Sequence, residues 1–190
     1  MTGLDQKVSF AVLRVRPTFA DSIGNCLTTS GTRFWVQHGD GRLLLVTNRH
    51  VLDPLMQPQE NLYPPLTLDR LELDLRDLGI GNTLRPTTKF VEVDLSTKPI
   101  RTHGSADCVM VVNPTFVGLS TPFVPAWTIP DAAIADASFL HDKAAMMDPV
   151  SFIGYPGTST SSWWDHGWNL AIARNAMFHR RLSESCPVIY

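Results

Sequence analysis

Leu43-Leu44-Leu45-Val46-Thr47-Asn48-Arg49-His50-Val51-Leu52 is an apolar run that turns polar and then apolar again. The leading apolar residues read as a strand and place His50 just past its end. Immediately upstream, His38-Gly39-Asp40-Gly41 has hairpin chemistry, because glycine reaches positive φ without strain. Arg33 to Gln37 supplies the preceding strand, so the hairpin delivers His50 at its far end.

Outward from this hairpin, apolar residues recur in short runs separated by Gly, Pro, Asn and Asp, with no sustained helical periodicity. The pattern predicts an all-β protein, with first-half strands near Val8 to Val15, Arg33 to Gln37, Arg42 to Thr47, Leu66 to Leu75, Thr88 to Leu95 and Cys108 to Val112. Such a series suits a barrel or sandwich. Pro54, Pro58, Pro64 and Pro65 make the stretch between Leu52 and Leu66 a long surface loop.

Past Val112 the composition shifts, with Pro114, Pro122, Pro125 and Pro130 and a linker-like Trp127-Thr128-Ile129-Pro130. The chain therefore divides into a first unit over residues 1–120, and a linker with a second, partial unit over 121–190. Asp131 to Asp142 is alanine-rich without a clean apolar stripe, and a short helix or a connecting loop fits equally. Pro149 to Gly157 and Asn169 to Ala176 read as further strands, and Pro187-Val188-Ile189-Tyr190 as the start of another.

The 190 residues, 44% hydrophobic, are enough for a substantial core. A net charge of −2, from 18 acidic and 16 basic residues spread along the chain, leaves no broad footprint for nucleic acid or anionic lipid. The densest basic spot, His179-Arg180-Arg181, reads as a solvated loop or strand end. No run approaches the roughly 18 apolar residues a membrane helix needs. Val8 to Leu13 is cut short by Arg14 and Arg16 and reads as a strand, not a secretion signal. Cys26, Cys108 and Cys186 lack the spacing of a disulfide framework or zinc knuckle and read as buried thiols. The expectation is a soluble, cytoplasmic protein.

Asp107, in Gly104-Ser105-Ala106-Asp107-Cys108-Val109-Met110-Val111-Val112, stands at another strand end in the same half. A histidine can move a proton from a hydroxyl to a leaving group when a carboxylate holds its other ring nitrogen. Taken singly, each residue has an ordinary meaning, His50 as a strand-edge residue and Asp107 as a turn former. Together, in order, within an all-β pattern, they are a candidate base and orienting acid.

These blocks resemble the chymotrypsin/trypsin-like serine peptidases, particularly their cysteine-poor bacterial branch. Thr47-Asn48-Arg49-His50 is similar to that family's histidine block, Ala106-Asp107-Cys108-Val109-Met110-Val111 to its aspartate block, and Phe152-Ile153-Gly154-Tyr155-Pro156 and Asn169-Leu170-Ala171-Ile172-Ala173 to strands of its second barrel. The resemblance covers nearly the whole chain. It implies a double β-barrel with the second barrel incomplete, an endopeptidase acting on a polypeptide substrate, catalytic His50 and Asp107, and no cofactor. It also implies a fused C-terminal or effector domain as a partner. The family's Gly-x-Ser-Gly nucleophile block occurs nowhere in the 190 residues. It is expected after Tyr190, which would leave this portion inactive alone.

The alternative from another class is a non-catalytic peptidase-like module that binds a partner segment or regulates a fused effector. Substitute nucleophiles are poor: Ser159, Ser161 and Ser162 read as polar loop serines, Cys108 as a core thiol, and Cys186 stands without an oxyanion hole beside it. His38, His50, His103, His141, His166 and His179 are scattered singly, which argues against a metal site. Trp163, Trp164 and Trp168 fit either a ligand platform or a loop packed over a barrel.

Overall fold

The structure is a computed structural model and describes residues 11–53, 55, 66–74, 90–97, 100–119, 124–125, 127–142, 149–155 and 172–177. Strands β1 (Val12–Ala20), β2 (Cys26–Thr28), β3 (Gly31–Gln37) and β4 (Leu43–Thr47) come first, and the helical turn α1 (Arg49–Leu52) follows β4. Then come β5 (Thr67–Asp74), β6 (Phe90–Glu92), β7 (Ile100–Thr102), β8 (Val109–Val112) and β9 (Ile129–Pro130). A 3-10 turn at Asp131–Ala133, the short helix α2 (Ala137–Asp142), β10 (Pro149–Gly154) and β11 (Ile172–Met177) complete the described elements. The fold is mostly β with almost no helix.

One curled sheet runs in the order β6-β5-β1-β3-β4-β8-β7, with β2 on β1 and β9 on β3, and forms a half-barrel. Its pairings are antiparallel except for β9 on β3. The two edge strands, β6 and β7, are near neighbours in sequence, and Val93 just after β6 bridges to Phe116 just after β8. That bridge draws the sheet's edges toward one another. Inside the curl, Val15, Trp35, Leu45, Leu71, Leu73, Val109 and Val111 are almost fully buried. Val51 and Leu52 of α1 join the same cluster.

The sequence expectations meet this sheet with specific differences. The first strand, β1, runs past the expected end at Val15, through Pro17 to Ala20. Proline is tolerated because its carbonyl accepts from Thr29 N–H at 3.0 Å, so its N-side faces the loop after β2 and not the β5 ladder. The segment 129–130, read as linker, is a strand stitched in parallel to Val36 and Gln37. The helix and loop readings for Asp131 to Asp142 are each met in part, by a 3-10 turn and a six-residue helix. Most of the proline-rich stretch after Leu52 lies outside the described residues, as do residues 8–10 and 187–190.

β10 and β11 pair with each other as a separate two-stranded sheet. It is tied to the first sheet where Tyr155, buried, donates its backbone N–H to Thr32 Oγ1 at 2.8 Å. The carbonyl of Thr32 in turn accepts from Thr47 Oγ1 at 2.6 Å. The end of β4 is thus clamped to β3, and β3 to the second sheet.

Glycine at position 31 is a steric requirement. A Cβ there would stand 2.6 and 2.7 Å from the two γ carbons of Val51, the residue that seats α1. Valine is stiff about χ1 and cannot swing clear. Gly31→Ala is expected to lower stability by about 1–3 kcal/mol in urea denaturation. Adding Val51→Ala should make the double variant cost less than the sum of the two single changes, and strict additivity would refute the contact.

Candidate active site

His50 belongs to a single helical turn that begins where β4 ends. Val51 and Leu52, 6% and 7% exposed, point into the core. With those two residues inward, His50 falls on the outer side of the turn, its side chain 47% exposed. Asp107 sits in the loop between β7 and β8, just ahead of Val109, which pairs with Thr47. Pairing of β4 with β8 therefore brings the two ends together.

The contact has two prongs. His50 Nδ1 lies 2.5 Å from Asp107 Oδ2, and the His50 backbone N–H donates to Asp107 Oδ1 at 2.9 Å. The carboxylate grips both the ring and the main chain of the same residue, which restrains the imidazole's orientation. Asn48 adds donors from Nδ2 to Asp107 Oδ2 and to the Asp107 carbonyl, each at 3.2 Å. Partial burial pushes the Asp107 carboxyl upward. The bonds from the His50 backbone and ring, the His50 charge and the Asn48 amide outweigh it and leave Asp107 below the ordinary carboxylate value.

The loop that carries Asp107 is shaped by His103, whose Nδ1 accepts from the N–H groups of Ser105 and Ala106 at 3.2 and 2.9 Å. The remaining histidine with described contacts, His38, lies on the β3–β4 hairpin beside Asp40, with Nδ1 to Oδ1 2.8 Å. Gly41 there has φ +91°, as the hairpin chemistry predicted. Among the described residues no group of three or more His, Cys, Asp or Glu could hold a metal ion.

Cys108 is half-buried beside Asp107, and burial first, then the Asp107 charge, raises its thiol pKa. Such a thiol is a poor nucleophile. The expectation that the cysteines are buried is corrected at Cys26, which is exposed on β2, a short strand that among the described strands pairs only with β1. Ser159, Ser161, Ser162, Trp163, Trp164, Trp168, His166, His179 and Cys186 lie outside the described residues, and the His141 side chain is likewise not described.

On the other side of α1, Arg49 and Asp53 pair at 3.2 Å and, with Leu52, Leu68, Ile100 and Val109, line an open cavity of about 350 Å³. His50 is not part of its lining. No helix among the described residues is long and apolar enough to cross a membrane. No family model, curated protein or solved structure matches this chain.

Because the folded-state pKa of Asp107 is lowered, ionised Asp107 favours the folded chain above the unfolded carboxylate value, near pH ~4. That contribution is lost as pH falls through the folded value. Urea denaturation of the protein and of Asp107→Asn from pH 6 to 2 should show a difference that shrinks as acid is added. A difference independent of pH would show that Asp107 titrates alike in both states.

Proposed function

We propose that this chain carries the general base and the orienting carboxylate of a trypsin-like serine endopeptidase. The single observation behind the reading is the two-pronged grip of Asp107 on His50. A carboxylate on Nδ1 selects the tautomer in which Nε2 accepts a proton, and it stabilises the imidazolium formed when Nε2 does so. The backbone bond fixes the ring's base while the side-chain bond fixes its tilt.

The fold supports the same reading. A curled sheet bearing His50 after one strand and Asp107 before the neighbouring strand, with a second antiparallel pair docked at Thr32, suits a double-barrel peptidase whose cleft lies between the two halves. Peptide-bond hydrolysis then needs a serine nucleophile and oxyanion donors opposite His50. No Gly-x-Ser-Gly occurs in the 190 residues, so the reading takes the nucleophile from outside them. That absence also favours the second reading, a non-catalytic peptidase-like module that binds an extended segment along a sheet edge.

The two readings part in one experiment. On the first, the 190 residues alone leave peptide substrates intact and take up no fluorophosphonate. A chain extended through a Gly-x-Ser-Gly block hydrolyses peptides, and it loses about 10⁴-fold in kcat on Asp107→Asn with a similar or greater loss on His50→Ala. Hydrolysis untouched by His50→Ala would overturn the base assignment. An extended chain that binds peptides without cleaving them would establish the module.

A further inference from the structure

Asn48 stands at the N-cap of α1, where an asparagine side chain ordinarily accepts a backbone N–H two or three residues on. Here it does not: its φ of −71° and ψ of 143° are those of a cap, yet no cap bond is made by its side chain. The first turn is satisfied otherwise. The His50 N–H goes to Asp107 Oδ1, and the Val51 N–H reaches the Asn48 backbone carbonyl at 3.2 Å. Asp107, from the loop ahead of β8, has taken over the capping role, and the Asn48 carboxamide is turned toward Asp107.

The direction of that carboxamide is set by its partners. Of the two atoms facing Nδ2, the Asp107 carbonyl can only accept and so can Oδ2 of the ionised carboxylate, so the amide must present its NH₂ group and not its oxygen. One bond ties Asn48 to the main chain of Asp107, and the other ties it to the carboxylate oxygen that also receives the imidazole. We propose that Asn48 is a positioning residue that holds the Asp107 carboxylate in the plane of the His50 ring. This role rests on reading His50 and Asp107 as a working pair.

The physical need for such a residue follows from exposure. The His50 and Asp107 side chains are 47% and 40% exposed, so water competes for each lone pair and the carboxylate can rotate about its last torsion. One of its donors is the His50 ring, which must gain and lose charge during proton transfer, while the His50 main-chain N–H and the Asn48 amide do not titrate. A primary amide does not titrate in water's range, so the Asn48 bond keeps the same strength whether the ring is neutral or charged. Among the described contacts it is the side-chain donor to this carboxylate that does not depend on the protonation of the imidazole. Its second bond, to the Asp107 carbonyl, gives it a fixed purchase at the head of β8.

The test is NMR titration of the 190-residue protein with ¹³C-labelled aspartate, following the Asp107 carboxyl, with His50 and the half-buried Cys108 as the neighbouring titratable groups. In Asn48→Ala the Asp107 midpoint should rise, and the His50 Nδ1–H should exchange faster with water. In the near-isosteric Asn48→Asp the midpoint should rise further, because a donor is replaced by a like charge. Amide spectra otherwise like those of the parent establish that each variant is folded. An Asp107 midpoint unmoved in both folded variants overturns the proposal and leaves Asn48 with a merely structural role. Because the readout is proton binding and not hydrolysis, the positioning role can stand or fall separately from the peptidase reading.

Discussion

The Asp107 carboxylate bridges two strand ends that the chain itself keeps far apart, accepting from the ring and the main chain of His50 at once. This contact exists only because β4 and β8 pair in one register, with Thr47 opposite Val109. A slip of one residue would turn Thr47 and Val109, both buried, outward and take the end of β8 away from α1. The register is in turn enforced by alternation, since Leu45 faces Val111 across the ladder and both lie in the core. Strand pairing, core formation and the His50–Asp107 geometry are one constraint met three times.

The turn that carries His50 depends on the same core. Four residues are too few to form a stable helix in isolation, because nucleation is unfavourable and the run ends before propagation can offset it. α1 persists because Val51 and Leu52 are packed beneath it and because Asp107 satisfies one of its unpartnered N–H groups. Gly31 leaves the space that Val51 occupies. The exposed side-chain contact between His50 and Asp107 contributes at most about 1 kcal/mol to stability. Hydrophobic seating therefore sets where His50 is, and the carboxylate ties down the first turn and sets how the ring is turned.

Buried charge is used differently elsewhere in the sheet. Arg14 donates to the fully buried Asp74 at 2.8 Å, and Arg33, also fully buried, donates to the Asp74 carbonyl at 2.8 Å while lying over the Trp35 ring at 4.5 Å. Nothing in the alternation of Arg33-Phe34-Trp35-Val36 marks the arginine as interior, because an isolated charge at an inward position ordinarily signals a strand end or an exposed face. A partner from β5, remote in sequence, makes its burial tolerable. Asn48 is the corresponding omission at the site: an asparagine before an apolar pair reads as a loop or cap residue, and its bonds to Asp107 follow from the β4–β8 register alone.

The sequence by itself determined the β class, the hairpin at His38 to Gly41 and the candidacy of His50 and Asp107, because these rest on local alternation, glycine conformational freedom and residue chemistry. It also carried the strands at Arg33 to Gln37, Arg42 to Thr47 and Cys108 to Val112 to within two residues. It missed β2, β7 and β9, each too short to show a period, and it ended the first strand at Val15 where β1 runs on to Ala20. Tertiary structure decided what depends on pairing between distant segments: the strand order, the bridge from Val93 to Phe116, and the meeting of His50, Asp107 and Asn48. Local sequence sets which conformations a segment prefers. Only the shared core, by burying alternate residues of several strands together, selects the one register in which those three side chains touch.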